Sequence, residues 1–140
     1  MTENELSEAI IGAAIEVHRA LGPGLIEKPY EEALCHELHL RRLRFARQRP
    51  VPISYKGIKL SSELWLDLVV DEKVIVELKA KETVTLLDRA KLLTYLRLSD
   101  LRLGLIINFH VDRLVDGVTR VVNRLVDSDE PFEPPDLHAG

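Results

Sequence analysis

Three charged side chains interrupt two stretches of sequence that are otherwise mostly aliphatic. Asp67 lies within residues 64–70, and Glu77 and Lys79 lie within residues 74–80. Strands of this composition are usually covered on both faces, and a buried charge needs a partner. Two carboxylates and a lysine in such a setting indicate a site for a divalent cation, because hard cations take oxygen ligands.

A hairpin with a three-residue turn, 71–73, brings these charges together. The register that it sets places Asp67 directly opposite Glu77, with their Cβ atoms about 5 Å apart. Carboxylates this close repel each other unless a cation lies between them. Side-chain alternation predicts that Asp67, Glu77 and Lys79 share one face. Lys79 supplies one positive charge there, and a metal ion would supply another. A salt-bridge network without a metal is the alternative interpretation.

The opposite face of the hairpin is wholly aliphatic and is predicted to be core. Residues two apart on a strand share a face. The predicted core positions are Leu66, Leu68, Val70, Val74, Val76 and Leu78.

Helices are predicted on both sides of the hairpin in the chain. Thr2 and Glu5 form the capping box of the first helix, and a carboxylate, Glu27, heads the inward stripe Tyr30, Leu34 and Leu38 of the second. Residues 117–126 suit either a strand or a helix. The predicted helices span 3–21, 27–42 and 86–98, and the predicted strands span 51–55, 58–60, 64–70, 74–80 and 103–109. This order predicts an α/β (α+β) fold, a mixed central β-sheet flanked by helices.

The bulk composition predicts one folded domain, residues 1–126, followed by a polar, proline-containing tail, 127–140. A single cysteine, Cys35, excludes an internal disulfide framework and is predicted to be a small buried residue. His18 is predicted on a helix surface. With no signal peptide and no apolar run long enough for a membrane span, we expect a cytoplasmic protein.

The net charge of −4 is unfavourable for binding nucleic acid through phosphates alone. Charge can be local, however, and five arginines fall within nine residues. They suit either the solvated end of a helix or a nucleic-acid contact, and both interpretations stay open. The five are Arg41, Arg42, Arg44, Arg47 and Arg49.

Two motifs resemble known signatures. Asp67, followed across the hairpin by Glu77-Leu78-Lys79, resembles the PD-(D/E)xK signature of the restriction-endonuclease-like superfamily. Residues 24–30, GLIEKPY, match the GxxExxY signature for which one bacterial and archaeal protein family is named. The stretches AIIGAAIEVHRALGPGL and KLLTYLRL…RLGLIINF are similar to that family too. The resemblance covers about residues 6–125 and implies a restriction-endonuclease-like core.

The resemblance implies a nuclease that uses Mg²⁺ or Mn²⁺ and cleaves DNA rather than RNA. Asp67, Glu77 and the backbone carbonyl of Leu78 would hold the metal. Lys79 would position or activate the attacking water and steady the scissile phosphate. Glu27 would complete the metal shell as the upstream acid.

The third predicted helix departs from the pattern. Related nucleases of the RecB-like branch carry a glutamine there, with a tyrosine four residues later. Here Tyr95 is present, but Lys91 stands at the glutamine position. Lys91, Tyr95 and Tyr30 are the predicted substrate-binding residues. The lysine leaves open a catalytically weak or inactive nucleic-acid-binding or regulatory module, and a homodimer would suit a small nuclease that cuts two strands.

Overall fold

The computed structural model describes residues 1–125, so the predicted tail over 127–140 lies outside the described residues. The elements in chain order are α1 (Glu3–Leu21), α2 (Glu27–Leu40), β1 (Phe45–Tyr55), β2 (Ile58–Val70), β3 (Val74–Lys79), α3 (Leu86–Ser99), β4 (Leu103–Asn108), a 3₁₀ turn (Leu114–Gly117) and β5 (Val118–Val122).

The five strands form one mixed sheet in the order β1-β2-β3-β4-β5. Strands β3 and β4 are parallel, and the other neighbours are antiparallel. Helix α3 connects the parallel pair, because parallel neighbours need a crossover that a tight turn cannot provide. The predicted α+β fold with helices around a mixed sheet is confirmed.

Helices cover both faces of the sheet. Leu68 and Val76 belong to a core cluster with α1 and α2, whereas Val69 and Ile75 pack against Leu92 of α3. This arrangement explains why β2 and β3 are apolar on both faces where they meet. A charged side chain at the end of this segment therefore lies beside buried apolar residues.

The hairpin turn is as predicted. Val70 pairs with Val74, and the three residues between them form the connection. Asp71 and Glu72 adopt positive φ angles of 51° and 56°, which acidic side chains tolerate better than branched ones do. The turn length thus sets the register that carries the site.

Several predicted boundaries were wrong. The short strands 58–60 and 64–70 are one strand, β2, and β1 begins at Phe45, six residues earlier than predicted. The intervening serines lie on an exposed two-stranded ribbon, where no buried face imposes alternation. Helix α2 ends at Leu40, and Arg42 has a φ of 60° that a helix cannot continue. The ambiguous segment forms strand β5 after a 3₁₀ turn.

The surface prediction for His18 was wrong. Its side chain is buried, and its Nε2 atom lies 2.8 Å from the Val111 carbonyl oxygen, which ties α1 to the chain after β4. Cys35 is buried as predicted, and burial raises the pKa of its thiol. None of the helices in residues 1–125 combines the length and apolar composition of a membrane span.

Candidate active site

Strands β2 and β3 separate where the two acidic residues stand. Their last backbone pair is Leu68 with Val76, and Asp67 and Glu77 are the adjacent residues on the two strands, on the side away from the turn. Beyond this pair, hydrogen bonds to side chains take the place of the backbone–backbone hydrogen bonds between the two strands. The Leu78 N–H donates to Oδ2 of Asp67 at 3.2 Å, and the Asp67 N–H lies 3.5 Å from Oε1 of Glu77. The predicted register therefore places both carboxylates at one opening in the sheet.

The Leu78 carbonyl faces the same opening. In a parallel ladder alternate residues bond to the same neighbour. The Phe109 N–H donates to the Lys79 carbonyl at 3.0 Å, so Lys79 bonds to the β4 side. Leu78 then directs its N–H towards β2, as its bond to Asp67 shows, and strand alternation directs its C=O to the same side. A backbone oxygen thus joins two carboxylates at the point where the ladder has ended.

The alternation of β2 is broken at Asp67. Leu68 packs with α1 and α2, as predicted, but Leu66 packs on the α3 side, so its predicted face was wrong. Opposite Asp67 on β1, Gln48 has a φ of 50° and is missing from the paired residues. The Asp67 side chain lies towards α2, whereas Glu77 and Lys79 lie towards α3, so the prediction that all three share one face was wrong.

Glu77 is a buried acidic residue with a raised pKa. The residue is only 9% exposed. Burial, and then the charge of Asp67, raise its pKa from 4.5 to about 8, while Lys79 offsets part of this. A carboxylate in this position is costly to ionise unless a further positive charge is present.

The predicted residues of α3 meet Glu77 in a small cavity of about 70 Å³. Lys79, Lys91 and Tyr95 line it, together with Asp88. Burial, and then the charge of Glu77, raise the pKa of the Tyr95 hydroxyl, which therefore stays a hydrogen-bond donor at neutral pH. The structure brings β3 and α3 together as the sequence predicted.

Asp88 is a residue of this cavity that the sequence analysis missed. Its carboxylate closes the capping box of α3 with Thr85 and lies 2.5 Å from the Lys81 ammonium. The Lys81 hydrogen bond, with the Thr85 amide, lowers the pKa of Asp88 to about 2. The Thr-x-x-Asp spacing was the available signal for the cap. Asp88 fixes the start of α3 beside the site.

Asp67 lines a second, wider cleft of about 610 Å³ on the α2 side. Glu27 and Lys28 line it from the start of α2, and Glu31 and Gln48 also contribute. Glu27 is exposed, so its predicted place at the head of the inward stripe was wrong; the other three stripe residues are buried. The two clefts lie on either side of the Asp67–Glu77 contact.

Comparison with known proteins identifies the family. The family model described as the PD-(D/E)XK nuclease superfamily matches residues 4–121. The chain belongs to the PD-(D/E)XK nuclease superfamily. No curated protein and no solved structure gave a significant match. Nucleases of this superfamily act on nucleic acids and generally use divalent metal ions.

The donors at the opening suit the metal ion that the superfamily implies. No three acidic, histidine or cysteine side chains within residues 1–125 are arranged to hold a metal. Asp67, Glu77 and the Leu78 carbonyl nevertheless offer three oxygen donors. Mg²⁺ is usually bound through one or two carboxylates and keeps several waters. Burial, and then the charge of Asp67, raise the pKa of Glu77, so a cation beside it would favour its ionised form. These three oxygen donors therefore suit a hard divalent cation.

Tyr30 lies away from both clefts, and its predicted substrate contact was wrong. The residue has no exposed surface, and its ring stacks on Phe109 with centroids 4.3 Å apart. Its hydroxyl donates to the Gly22 carbonyl at 2.6 Å and accepts from the Leu25 N–H at 3.1 Å. Gly24, between them, has a φ of 104° that favours glycine. The Gly24–Tyr30 motif of this superfamily member thus shapes the loop that positions Glu27.

Tyr30→Phe is expected to destabilise the protein by about 1–3 kcal/mol, because it removes both hydrogen bonds of the loop. Urea denaturation measures the change. Tyr55→Phe is the matched control, since the Tyr55 side chain is largely exposed. Equal midpoints for the two variants would contradict the role assigned to the Tyr30 hydroxyl.

Most of the arginine cluster is paired with acids. Four ion pairs are formed: Arg41–Glu37, Arg44–Asp71, Arg47–Glu31 and Arg49–Glu72. The Arg49 pair is bidentate, with both bonds at 2.6 Å. Pairing reduces the charge that this cluster offers to phosphate, and only Arg47 lines the Asp67 cleft. Neither the solvated end of a helix nor a nucleic-acid contact therefore accounts for all five arginines.

Proposed function

We propose that the protein is a Mg²⁺- or Mn²⁺-dependent nuclease that hydrolyses phosphodiester bonds of DNA, with RNA a poorer substrate. One observation carries the proposal: buried Glu77 lies against Asp67 where β2 and β3 separate. A chain gains no stability from two carboxylates placed in this way. In a member of a nuclease superfamily, the arrangement is best explained by metal binding.

Each residue of the site has its own proposed role in binding the metal or in hydrolysis. Asp67, Glu77 and the Leu78 carbonyl would hold the ion, which when bound lowers the pKa of a coordinated water and offsets charge on the scissile phosphate. Lys79 orients the attacking water and donates to a phosphate oxygen. Glu27, across the cleft from the opening, binds water of the metal shell.

Helix α3 supplies the contacts to the substrate backbone. Lys91 places a point charge in the cavity beside Glu77, and the neutral Tyr95 hydroxyl donates to phosphate. The motif of residues 24–30, with its ordered loop, supports placement in the GxxExxY family within the RecB-like branch.

A cleavage assay tests the proposal. Single-stranded DNA, duplex DNA and RNA are incubated with Mg²⁺ or Mn²⁺, and with a chelator in parallel. We expect products from DNA only when the metal is present. Binding without products under every metal condition would favour the alternative of an inactive nucleic-acid-binding or regulatory module.

Lys91 is the observation that favours this alternative. Its ammonium lines the same cavity as Lys79, and a second cation near the carboxylates competes with a metal. Both functions share one expectation, which is that Lys91 contacts phosphate.

Lys91→Gln is expected to weaken DNA binding and to reduce the slope of log K against log salt by about 0.7–0.9, the value for one phosphate contact. Fluorescence anisotropy across a salt series without metal measures this. Arg97→Gln removes the same charge from an exposed position of the same helix. If both variants change the slope equally, Lys91 has no specific phosphate contact.

A further inference from the structure

The β1–β2 ribbon, residues 50–65, extends beyond the candidate site. Past the last β2–β3 pair, Leu68 with Val76, strand β2 continues to Ile58 and is paired only with β1. Because β2 and β3 are antiparallel, the ribbon leaves the sheet at the end where Asp67 and Glu77 lie. A substrate held at the opening would therefore run alongside the base of the ribbon.

Trp65 stands at that base, two residues from Asp67. Its neighbours Leu64 and Leu66 pack on the α3 side, so alternation directs Trp65 to the opposite side. This is the side on which Asp67 lines its cleft with Lys28. Two strand residues span only about 7 Å. The indole and the metal-binding opening are thus adjacent on one surface.

The exposure of Trp65 has no structural explanation within residues 1–125. The residue is 56% exposed, although a tryptophan gains more than most residues from burial. Pro50 lies directly opposite it on β1, with Pro52 nearby. Proline has no N–H to offer to an additional strand, so this edge is unsuited to pairing with another chain. The surface at this point is formed by side chains, an indole beside a proline ring.

We propose that Trp65 stacks on an unpaired base next to the scissile phosphate, and that the substrate is single-stranded DNA. The inference rests on the proposed function for the position of that phosphate. Aromatic side chains beside a backbone-binding groove are the usual means of binding single strands. In a duplex the bases are already stacked on one another, so the indole has no free base face to contact.

Charge distribution supports a surface that combines modest phosphate attraction with stacking. All 19 basic residues, but only 18 of the 23 acidic residues, lie within residues 1–125. The described domain is therefore slightly basic, although the chain is not. Lys28 offers a phosphate contact in the cleft, but Glu27, Glu31 and Asp67 also line it, so the attraction there is weak. Such weak attraction alone gives little affinity, and stacking adds to it without requiring a particular sequence.

Intrinsic fluorescence tests the inference directly, because Trp65 is the only tryptophan in the chain. The full-length protein is titrated, with chelator present so that nothing is cleaved, with a single-stranded oligonucleotide, the same sequence as a duplex, and a base-free chain of abasic sugar phosphates. We expect quenching by the single strand and little change with the other two. Trp65→Ala is expected to weaken single-strand binding, measured by anisotropy, roughly 5- to 150-fold.

Two variants control for folding and for general loss of aromatic surface. Trp65→Phe keeps a ring and is expected to recover part of the affinity, whereas Tyr55→Ala removes a similarly exposed ring from the far end of β1 and should leave affinity unchanged. Equal quenching by the base-free chain, or unchanged affinity in Trp65→Ala, would overturn the stacking role. Cleavage by the wild type, with no effect of Trp65→Ala on binding, would support the proposed nuclease function but not the stacking role. Quenching without any cleavage would support the stacking role but not the nuclease function.

Discussion

Asp67→Asn is expected to lower Mn²⁺-dependent DNA cleavage at least about 100-fold, because loss of a metal ligand exceeds the 10- to 100-fold typical of residues behind the ligands. The amide oxygen can still accept the Leu78 N–H, which now bonds to Oδ2 of Asp67 at 3.2 Å. The change also removes the repulsion of Glu77. The variant should therefore fold, and the loss should reflect chemistry. Initial rates on one substrate measure the effect.

Glu63→Gln is the matched control for this experiment. Glu63 lies on the same strand, is exposed, and loses the same charge. Its cleavage rate should equal that of the wild type. Cleavage that persists in Asp67→Asn would show that the activity comes from another site or from a contaminant.

Glu77→Gln is expected to stabilise the metal-free protein near pH 8 while it lowers cleavage at least about 100-fold. The native state raises the pKa of Glu77 from 4.5 to about 8, chiefly through burial and then through Asp67, so the folded protein binds this proton more tightly than the unfolded chain. The resulting contribution to stability is fully present below pH 4.5. It is lost as pH rises towards 8, by up to about 1.4 kcal/mol per pH unit.

Urea denaturation with chelator, at several pH values across this range, measures the free energy of unfolding. The wild type should lose stability with rising pH more steeply than Glu77→Gln, and the gap should be largest at the alkaline end. Glu63→Gln should follow the wild-type profile. Parallel profiles for wild type and Glu77→Gln would mean that Glu77 ionises in the fold without cost, which would remove the electrostatic argument for a metal.

The core of the site could be predicted because it depends on local rules. A three-residue turn sets the register of a hairpin, and side-chain alternation then assigns faces. The turn length places Asp67 beside Glu77, and alternation directs Glu77 to α3. Alternation alone assigns Asp67 to the wrong face. The resemblance to related nucleases, with the four-residue spacing on one helix face, indicated Lys91 and Tyr95, and the structure places both in the cavity with Glu77.

The wrong predictions for His18 and Tyr30 have a different cause, which is contact with loops. Helical periodicity could not show that Val111 would cover His18, or that Tyr30 would turn its hydroxyl into the Gly22–Leu25 loop. Tyr30 keeps its predicted buried place in the helix stripe, but its loop contacts leave no exposed surface for a substrate. The change of face at Leu66 lies beside an irregular position of the neighbouring strand, where Gln48 adopts a positive φ that its residue type does not predict.

The ribbon shows a further limit of hydrophobic patterning. Residues 61–63 are polar and were predicted as a break between strands, yet they continue β2. A ribbon with both faces in solvent needs no apolar alternation, so the strand has no periodic signal there. Trp65 stood at the edge of the predicted hairpin, and only the long strand shows that it lies where the ribbon leaves the sheet.

The claim that Asp67, Glu77 and the Leu78 carbonyl bind a divalent ion is tested most directly by anomalous diffraction from crystals soaked in Mn²⁺. Wild-type crystals should show a manganese peak in contact with both carboxylates and the Leu78 carbonyl oxygen, and Asp67→Asn crystals soaked in parallel should show none. An opening without a peak in the wild type, or a peak of equal height in the variant, would contradict a metal centre at this site.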